Sequence, residues 1–146
     1  MALHYQKSHH NHVGEYQQSS IPFVTSSVAD EVTTSAVVTL KLPYVSRWIV
    51  IKNTDASHTL KFGFSANGVN GPKKPVAGNY NITGSNANYF TLAAGATTER
   101  LELKCKEIHF LGGTNSASFS VLAGLTGVEN SMFPALTGSK GVEGVG

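Results

Sequence analysis

The chain repeats one short pattern between about Ile21 and Leu125: four to eight residues in which apolar and polar side chains alternate, followed by a break rich in Gly, Asn or Pro. Successive side chains of a β-strand point to opposite faces, so this alternation indicates a strand with one buried and one solvated face. There are eight such segments, with almost no helical periodicity between them. They predict an antiparallel sandwich of two sheets.

One long loop divides the predicted strands into two groups of four. The strands are predicted at 21–25, 33–42, 47–53, 60–64, 89–92, 98–105, 107–111 and 116–122. The loop, residues 65–88, contains four glycines and two prolines, and loops longer than about 12–15 residues are uncommon unless they carry function or contacts. Eight antiparallel strands in two sheets predict an all-β single jelly roll. An immunoglobulin-like sandwich is the alternative, although it usually has seven or nine strands.

Two of the predicted strands carry further information. Pro22 lacks a backbone N–H, which confines the first strand to the edge of a sheet or makes this residue part of the strand start. Trp48 and Val50 alternate with Ile49 and Ile51. Both faces of this strand are therefore apolar, which indicates a central position in its sheet or a cover over its outer face.

Residues 98–105 fit two patterns. Leu101, Leu103 and Cys105 alternate as in a strand, whereas Leu101, Cys105 and Ile108 also have helical spacing. We favour the strand, because the neighbouring segments alternate and the nearby glycines leave little room for a helix.

We expect one hydrophobic core between the two sheets. Its large members are predicted to be Leu40, Phe62, Phe90, Leu103, Phe110 and Phe119. Cys105 is expected to be a buried structural thiol, since the flanking lysines point to the opposite face of its strand. His109 is expected to face outward, because it alternates with Ile108 and Phe110. From Gly124 onward the sequence is Gly-rich and without periodicity, which indicates a tail.

The pattern divides the chain into three parts: a flexible N-terminal arm at 1–20, the jelly-roll domain at 21–128 and a Gly-rich tail at 129–146. The chain has a single Cys, which excludes an intrachain disulfide and fits a reducing compartment. Residues 1–12 lack the apolar stretch of a secretory signal, and no run approaches the roughly 20 apolar residues of a membrane span. We expect no membrane insertion.

The charged fraction of the chain is low. Asp, Glu, Lys and Arg make up 14% of its 146 residues, against about 25% in a typical soluble domain. A surface rich in Ser, Thr, Asn and Gly suits a protein whose surface is covered by other proteins in an assembly. Secreted and β-rich proteins, however, are often rich in Ser and Thr as well. The net charge of +2 is too small to predict nucleic-acid binding.

No set of residues with the spacing of a catalytic or metal site is evident. His9, His10 and His12 are able to ligate zinc or copper, but nothing in this polar arm fixes their geometry. An enzyme of the cupin type needs several inward His and a carboxylate, whereas only His58 and His109 lie in the strand region. A Ser-His-Asp catalytic site is not indicated either, because the chain has only two aspartates, Asp30 and Asp55, and no nucleophile-elbow motif. We therefore expect no enzymatic activity and no bound cofactor or metal.

Five residues are candidates for contacts with a partner. Tyr44 and Trp48 stand at the start of the third strand, where aromatic side chains either anchor interfaces or cap the core. Lys73, Lys74 and Tyr80 lie in the long loop, where they are candidates for a recognition surface.

The order and spacing of several phrases resemble the penton, or vertex capsid protein, of nucleocytoplasmic large DNA viruses, most of all those of the chlorovirus and iridovirus kind. The phrases are LPYVSRWIVIKN at 42–53, LKFGFSANGV at 60–69, NYFTL at 88–92, LELK at 101–104 and AGLTG at 123–127. The resemblance covers about residues 20–128, and each phrase alone also occurs in other β proteins. The family has no catalytic residues to transfer to this chain.

The resemblance implies a single jelly roll, five copies of which form a homopentamer at each vertex of an icosahedral virion. Its neighbours would be trimers of a double-jelly-roll major capsid protein and minor capsid proteins, and it would be made and assembled in the host cytoplasm. Two other hypotheses remain: a carbohydrate- or receptor-binding jelly roll that uses loop 65–88 for recognition, and a cupin-type enzyme suggested by fold analogy alone.

Overall fold

In a computed structural model of the chain, residues 10–70, 88–136 and 145 are described. Seven strands lie within these residues: β1 Ile21–Ser26, β2 Val38–Lys41, β3 Tyr44–Asn53, β4 Leu60–Gly63, β5 Phe90–Leu92, β6 Glu107–Gly112 and β7 Phe119–Glu129. Three short helices accompany them: α1 Val13–Gln17, α2 Ala66–Val69 and a 3₁₀ turn at Asn130–Met132. The protein is therefore all-β, as the alternating pattern predicts.

The strands form two antiparallel sheets that pack face to face. The three-stranded sheet has the order β1-β7-β3, and the four-stranded sheet has the order β2-β6-β4-β5. β1 lies at an edge and begins one residue before Pro22, which agrees with the prediction from this proline. The inward side chains of both sheets form one buried cluster, which includes Ile49, Ile51, Leu60, Ile108, Phe110, Phe119 and Val121.

A pair of stacked rings joins the two sheets. Phe110 of β6 and Phe119 of β7 lie 3.9 Å apart between ring centroids and only 11° from parallel. Both side chains are buried, and Phe62 of the next strand is buried beside Phe110 in the ladder. Rings of this size contribute a large part of the apolar area that a small sandwich removes from water.

The segment 96–105, here called the edge segment, differs from the predicted strand. It runs beside β3 and exchanges two backbone hydrogen bonds between Leu101 and Ile49, but only isolated bridges form and no continuous ladder results. The N–H of Leu103 bonds back to the carbonyl of Leu101, two residues earlier. This tight turn breaks the two-residue alternation, so Leu103 leaves the core face and is 39% exposed.

Two further core predictions have different outcomes. Phe90 is 62% exposed, because it lies on β5 at the margin of its sheet, and the prediction that it is buried is wrong. Leu40 is partly buried and packs against the core cluster, as expected. Cys105 is buried, and burial raises the pKa of its thiol to about 11, which fits the expected structural role.

The last strand is longer than the sequence pattern indicates. β7 continues through Gly124 and Gly127 to Glu129, although these residues were expected to belong to a tail. Gly in a strand marks a turn in many chains, but it also permits close approach of another group to the backbone. Gly124 serves the second purpose, because a Cβ there would lie 2.3 Å from Nε1 of Trp48.

Asn53, at the end of β3, is fully buried and connects three parts of the fold. Its side-chain amide donates hydrogen bonds to the carbonyls of His58 and Ala93, at 2.8 and 3.0 Å. Its Oδ1 accepts from the N–H of Asp55 at 3.0 Å. Every polar atom of this buried side chain therefore has a partner, as burial requires.

Replacing Phe110 by Ala is expected to lower the free energy of unfolding by about 3–5 kcal/mol, because it leaves a cavity against Phe119. Phe90→Ala is the matched control and should change that energy by less than about 1 kcal/mol, since the ring is mostly exposed. Urea denaturation followed by Trp48 fluorescence measures both. Equal losses in the two variants would contradict the described core.

Candidate functional site

The outer face of the three-stranded sheet carries a row of aliphatic side chains that crosses all three strands. Val24 of β1 pairs with Leu122 of β7, and Leu122 pairs in turn with Val50 of β3. Val24 is 71% and Leu122 is 42% exposed, while Val50 is half-buried. We call these three residues the outer apolar row. Contiguous apolar surface of this kind on a soluble protein is typical of an interaction site.

Trp48 extends the outer apolar row toward the start of β3. In the register it stands opposite Gly124, which stands opposite Pro22. The indole lies against the Gly124 backbone, and the guanidinium of Arg100 lies 5.0 Å from the ring centroid. A cation over an aromatic face is attracted to the ring, which favours this position of the indole. Trp48 thus lies beside the row.

Polar groups border this face at both ends. Ser26 and Ser120 follow the row in the next register position, and their hydroxyls are 2.6 Å apart. At the other end, Glu15 of α1 accepts a hydrogen bond from the N–H of Gly127, and Arg47 bonds to the carbonyl of Gln18. An apolar centre within a polar rim is the usual anatomy of a protein–protein contact.

The other predicted contact residues have different positions. Tyr44 is 40% exposed at the first position of β3 and pairs with Glu129, the last residue of β7. It therefore lies at the end of the sheet, away from the outer apolar row. Lys73, Lys74 and Tyr80 lie outside the described residues. The structure therefore brings Trp48, but not Tyr44, to the outer apolar row.

Sequence reasoning missed Val24 and Leu122 as surface residues. A usable signal was present: Leu122 follows Ser118 and Ser120 at two-residue spacing, so an apolar side chain takes a position that the alternation reserves for solvent. For β3, whose two faces are apolar, the sequence predicts a central position or a cover. The strand lies between β7 and the edge segment, and Arg100 lies over the ring of Trp48 on its outer face.

The outer face of the four-stranded sheet is different in character. It carries polar and charged side chains, among them Lys41, Glu107 and Lys61, and α2 packs against part of it through the buried Val69. Ser65, the first residue of the loop proposed for recognition, is fully buried. Its hydroxyl caps α2 by accepting from the N–H of Gly68 at 2.8 Å.

His109 lies on this outer face but is not solvent-accessible. Its side chain points away from the core, opposite to Ile108 and Phe110, as the alternation predicts. The side chain is nevertheless buried, with only 4% of its surface exposed. Its Nδ1 is 3.0 Å from the Thr39 hydroxyl, and its Nε2 is 3.5 Å from Glu107. Burial lowers the pKa of His109, and the Glu107 carboxylate opposes this shift only in part.

The titratable groups of the described segments do not form a cluster of three or more that suits a metal ion. His58 and Asp55 form a local pair in the turn after β3, 3.2 Å apart between Nδ1 and Oδ1. Hydrogen bonds from the N–H groups of Ser57 and His58 lower the pKa of Asp55. This arrangement stabilises a turn and positions no group for chemistry.

A cleft of about 310 Å³ lies at one end of the sandwich, lined by Lys41, Lys106, Glu107, Asn130 and Ser131. The Nζ of Lys106 donates to the carbonyl of Phe133, and the Asn130 amide donates to the carbonyl of Leu42. Both side chains are thus engaged in closing this end of the fold.

In the described parts of the chain, none of the helices has the length and apolar character needed to cross a membrane. Comparison of the chain with models of known protein families, with characterised proteins and with solved structures returns no match.

Gly124→Ala is expected to displace the Trp48 ring, because the added methyl group would occupy the position of the indole edge. The cost should be about 1–3 kcal/mol of unfolding free energy, the usual range for overpacking. A red shift of tryptophan emission would accompany it. Gly95→Ala controls for loss of a glycine with a positive φ and open space around it, and it should leave the emission maximum unchanged.

The stability of the protein is expected to fall as pH decreases below about 6.5, the ordinary pKa of histidine. The folded state holds His109 neutral and binds its proton less readily than the unfolded state, so acid favours unfolding in this window. Urea denaturation at pH 7.5 and 5.5 measures the loss. His109→Gln should reduce it, whereas His58→Gln should retain it; an equal loss in the His109 variant would refute this role.

Proposed function

We propose that this protein is a structural subunit of an icosahedral virion, and that five copies form the plug at each vertex. The observation that carries the proposal is the outer apolar row beside Trp48, an open sheet face that is costly to leave in water. The low charge of the chain and its resemblance to vertex capsid proteins support the same conclusion. The subunit belongs in the virion, after synthesis and assembly in the host cytoplasm.

We also propose that the fold is a jelly roll in which the edge segment takes the place of the eighth strand. With this segment beside β3, the two sheets have the orders β1-β7-β3-edge segment and β2-β6-β4-β5. Successive strands then alternate between the sheets, and only the connection from β4 to β5 stays within one sheet. Such repeated crossing between two four-stranded sheets is what a jelly roll requires.

A ring of five suits a subunit with two unlike surfaces. Cyclic assembly brings one surface of each copy against a different surface of the next, and the ring closes without a two-fold contact. The two sheets offer such a difference: the outer apolar row on one side, and charged and polar side chains on the other. Obligate contacts bury about 2,000 Å² or more, so most of one sheet face would be covered.

The surroundings of the plug follow from the same proposal. Trimers of a larger major capsid protein would surround each pentamer, and minor capsid proteins would contact it from the shell. The carbohydrate alternative depends on loop 65–88, whose candidate residues Lys73, Lys74 and Tyr80 lie outside the described residues, while its first residue, Ser65, caps α2. The cupin alternative has no cluster of ligands in the described segments.

The proposal predicts a ring of about 77 kDa, since the chain has a mass of 15.4 kDa and five copies are required. Native mass spectrometry at increasing protein concentration measures this, and a map of the purified particle locates the chain. A particle map with other protein at every vertex would contradict the proposal. A dimer or trimer as the largest species at millimolar concentration would contradict the pentamer.

Leu122→Lys is expected to abolish assembly with little effect on the fold, because it places a charge in the outer apolar row. The loss of assembly should exceed tenfold, as for a charge buried without a partner. Thr114→Lys is the matched control: it adds the same charge at an exposed position of the turn between β6 and β7, outside both sheet faces, and it should assemble normally. Circular dichroism should show unchanged strand content for both variants.

A further inference from the structure

At the edge of β1 away from β7, here called its free edge, backbone groups beside the outer apolar row make no hydrogen bond to the described residues. The N–H of Ser27 bonds to Phe119, and in an antiparallel pair every second residue makes such bonds. Thr25 and Phe23 therefore pair with β7, while Val24 and Ser26 direct their N–H and C=O groups to the other side. No described strand pairs with that side. Pro22 also faces it, so the missing N–H of this proline removes no hydrogen bond to β7.

Within the part of the chain that the structure describes, this edge lacks the usual protection against pairing with another chain. Exposed edge strands are normally blunted by charged side chains, bulges or a covering element. β1 has the sequence IPFVTS, without a charge, and its register with β7 is continuous over all six residues. Pro22 is the one residue of β1 that has no backbone N–H to donate. The edge and the row next to it are thus suited to an added strand.

The chain before the first described residue leaves at the opposite side of the sheet. Lys104, in the edge segment, donates from Nζ to the carbonyl of His10 at 3.1 Å, and Tyr16 lies 4.1 Å from the same ammonium group. From there the chain passes α1, which contacts Gly127 of β7, and enters β1 at Ile21. His10, the first described residue, therefore lies beside the edge segment, at the side of the sheet farthest from the free edge of β1.

The sequence of residues 1–9 suits an added strand. Met1, Leu3 and Tyr5 alternate with Ala2, His4 and Gln6, and the first six residues carry no Asp, Glu, Lys or Arg. Extended, nine residues reach about 30 Å, and a sheet of four strands is about 15 Å wide between its outer strands. A segment of this length reaches the next subunit and still pairs with several residues there.

We propose that residues 1–9 of one copy add as a strand to the free β1 edge of the neighbouring copy, with Leu3 and Tyr5 beside Val24 on the face of the outer apolar row. The inference rests on the proposed ring and supplies one of its contacts. Donor and acceptor lie at opposite edges of one sheet, so each subunit gives a strand on one side and receives one on the other. Head-to-tail exchange of this kind closes a ring.

Cross-linking between chains tests the inference directly. A full-length Leu3→Cys variant is mixed with an isotope-labelled Val24→Cys variant under mild oxidation, and Tyr5→Cys is tested in the same way. Disulfides that join labelled and unlabelled chains are expected. The native Cys105 contributes little background because it is buried. Thr114→Cys, in the exposed turn between β6 and β7, replaces Val24→Cys as the matched control and should remain unlinked.

Other products would overturn the inference. Val24→Cys chains linked to one another above the control level would indicate two-fold pairing of β1 with β1. A monomeric disulfide in the Leu3→Cys, Val24→Cys double variant would show that the segment folds onto its own sheet. The absence of any cross-link at concentrations up to millimolar would equally refute strand addition.

A second pair of variants tests the backbone contact. Val24→Pro removes an N–H that faces the free edge and leaves the bonds to β7 intact, whereas Val24→Thr keeps that N–H. The proline variant should lower the fraction of oligomers in native mass spectrometry about fivefold or more, as expected for the loss of one hydrogen bond, and the threonine variant should not. Native mass spectrometry separates this inference from the proposed function: cross-linked assemblies other than pentamers would refute the ring and retain the added strand.

Discussion

The stacking of Phe110 on Phe119 is the contact on which the arrangement of the two sheets depends. It joins β6 of one sheet to β7 of the other with the ring planes nearly parallel. Phe119 lies on β7, which pairs with the edge strand β1, and Phe110 lies on β6, which pairs with the edge strand β2. The stacked rings therefore also determine where these two edge strands lie. With the inner faces locked together in this way, the outer faces are left to define what the molecule contacts, and these two faces differ in polarity.

The alternating pattern was sufficient to predict the class of fold and most of the strands. β1, β4 and β6 lie where apolar and polar residues alternate, and β3 covers the predicted strand that is apolar on both faces, with Ile49 and Ile51 buried on one of them. Such predictions succeed because the two-residue period is a local property of the backbone. It needs no knowledge of which strands are neighbours.

The errors have two origins. Leu103 is exposed because a local hydrogen bond from its N–H to the carbonyl of Leu101 breaks the alternation. Phe90 is exposed because its strand lies at the margin of the sheet, and Gly124 appeared to end a strand, whereas it provides space for Trp48 from another strand. These last two outcomes depend on pairing between distant segments. The same limit applies to the candidate site, since Val24 and Leu122 meet only through the register of β1 with β7.

The buried amide of Asn53 has a consequence for motion. It belongs to β3 in one sheet, but its hydrogen bonds reach the carbonyls of His58, just before β4, and of Ala93, just after β5. If either segment separates from the rest, the Asn53 amide loses hydrogen-bond partners while it is still desolvated, which costs free energy. Fraying of a strand end that makes no such contact does not carry this cost. The outermost strand of the four-stranded sheet is thereby tied to the opposite sheet, and both should exchange their amide protons with solvent as a single cooperative unit.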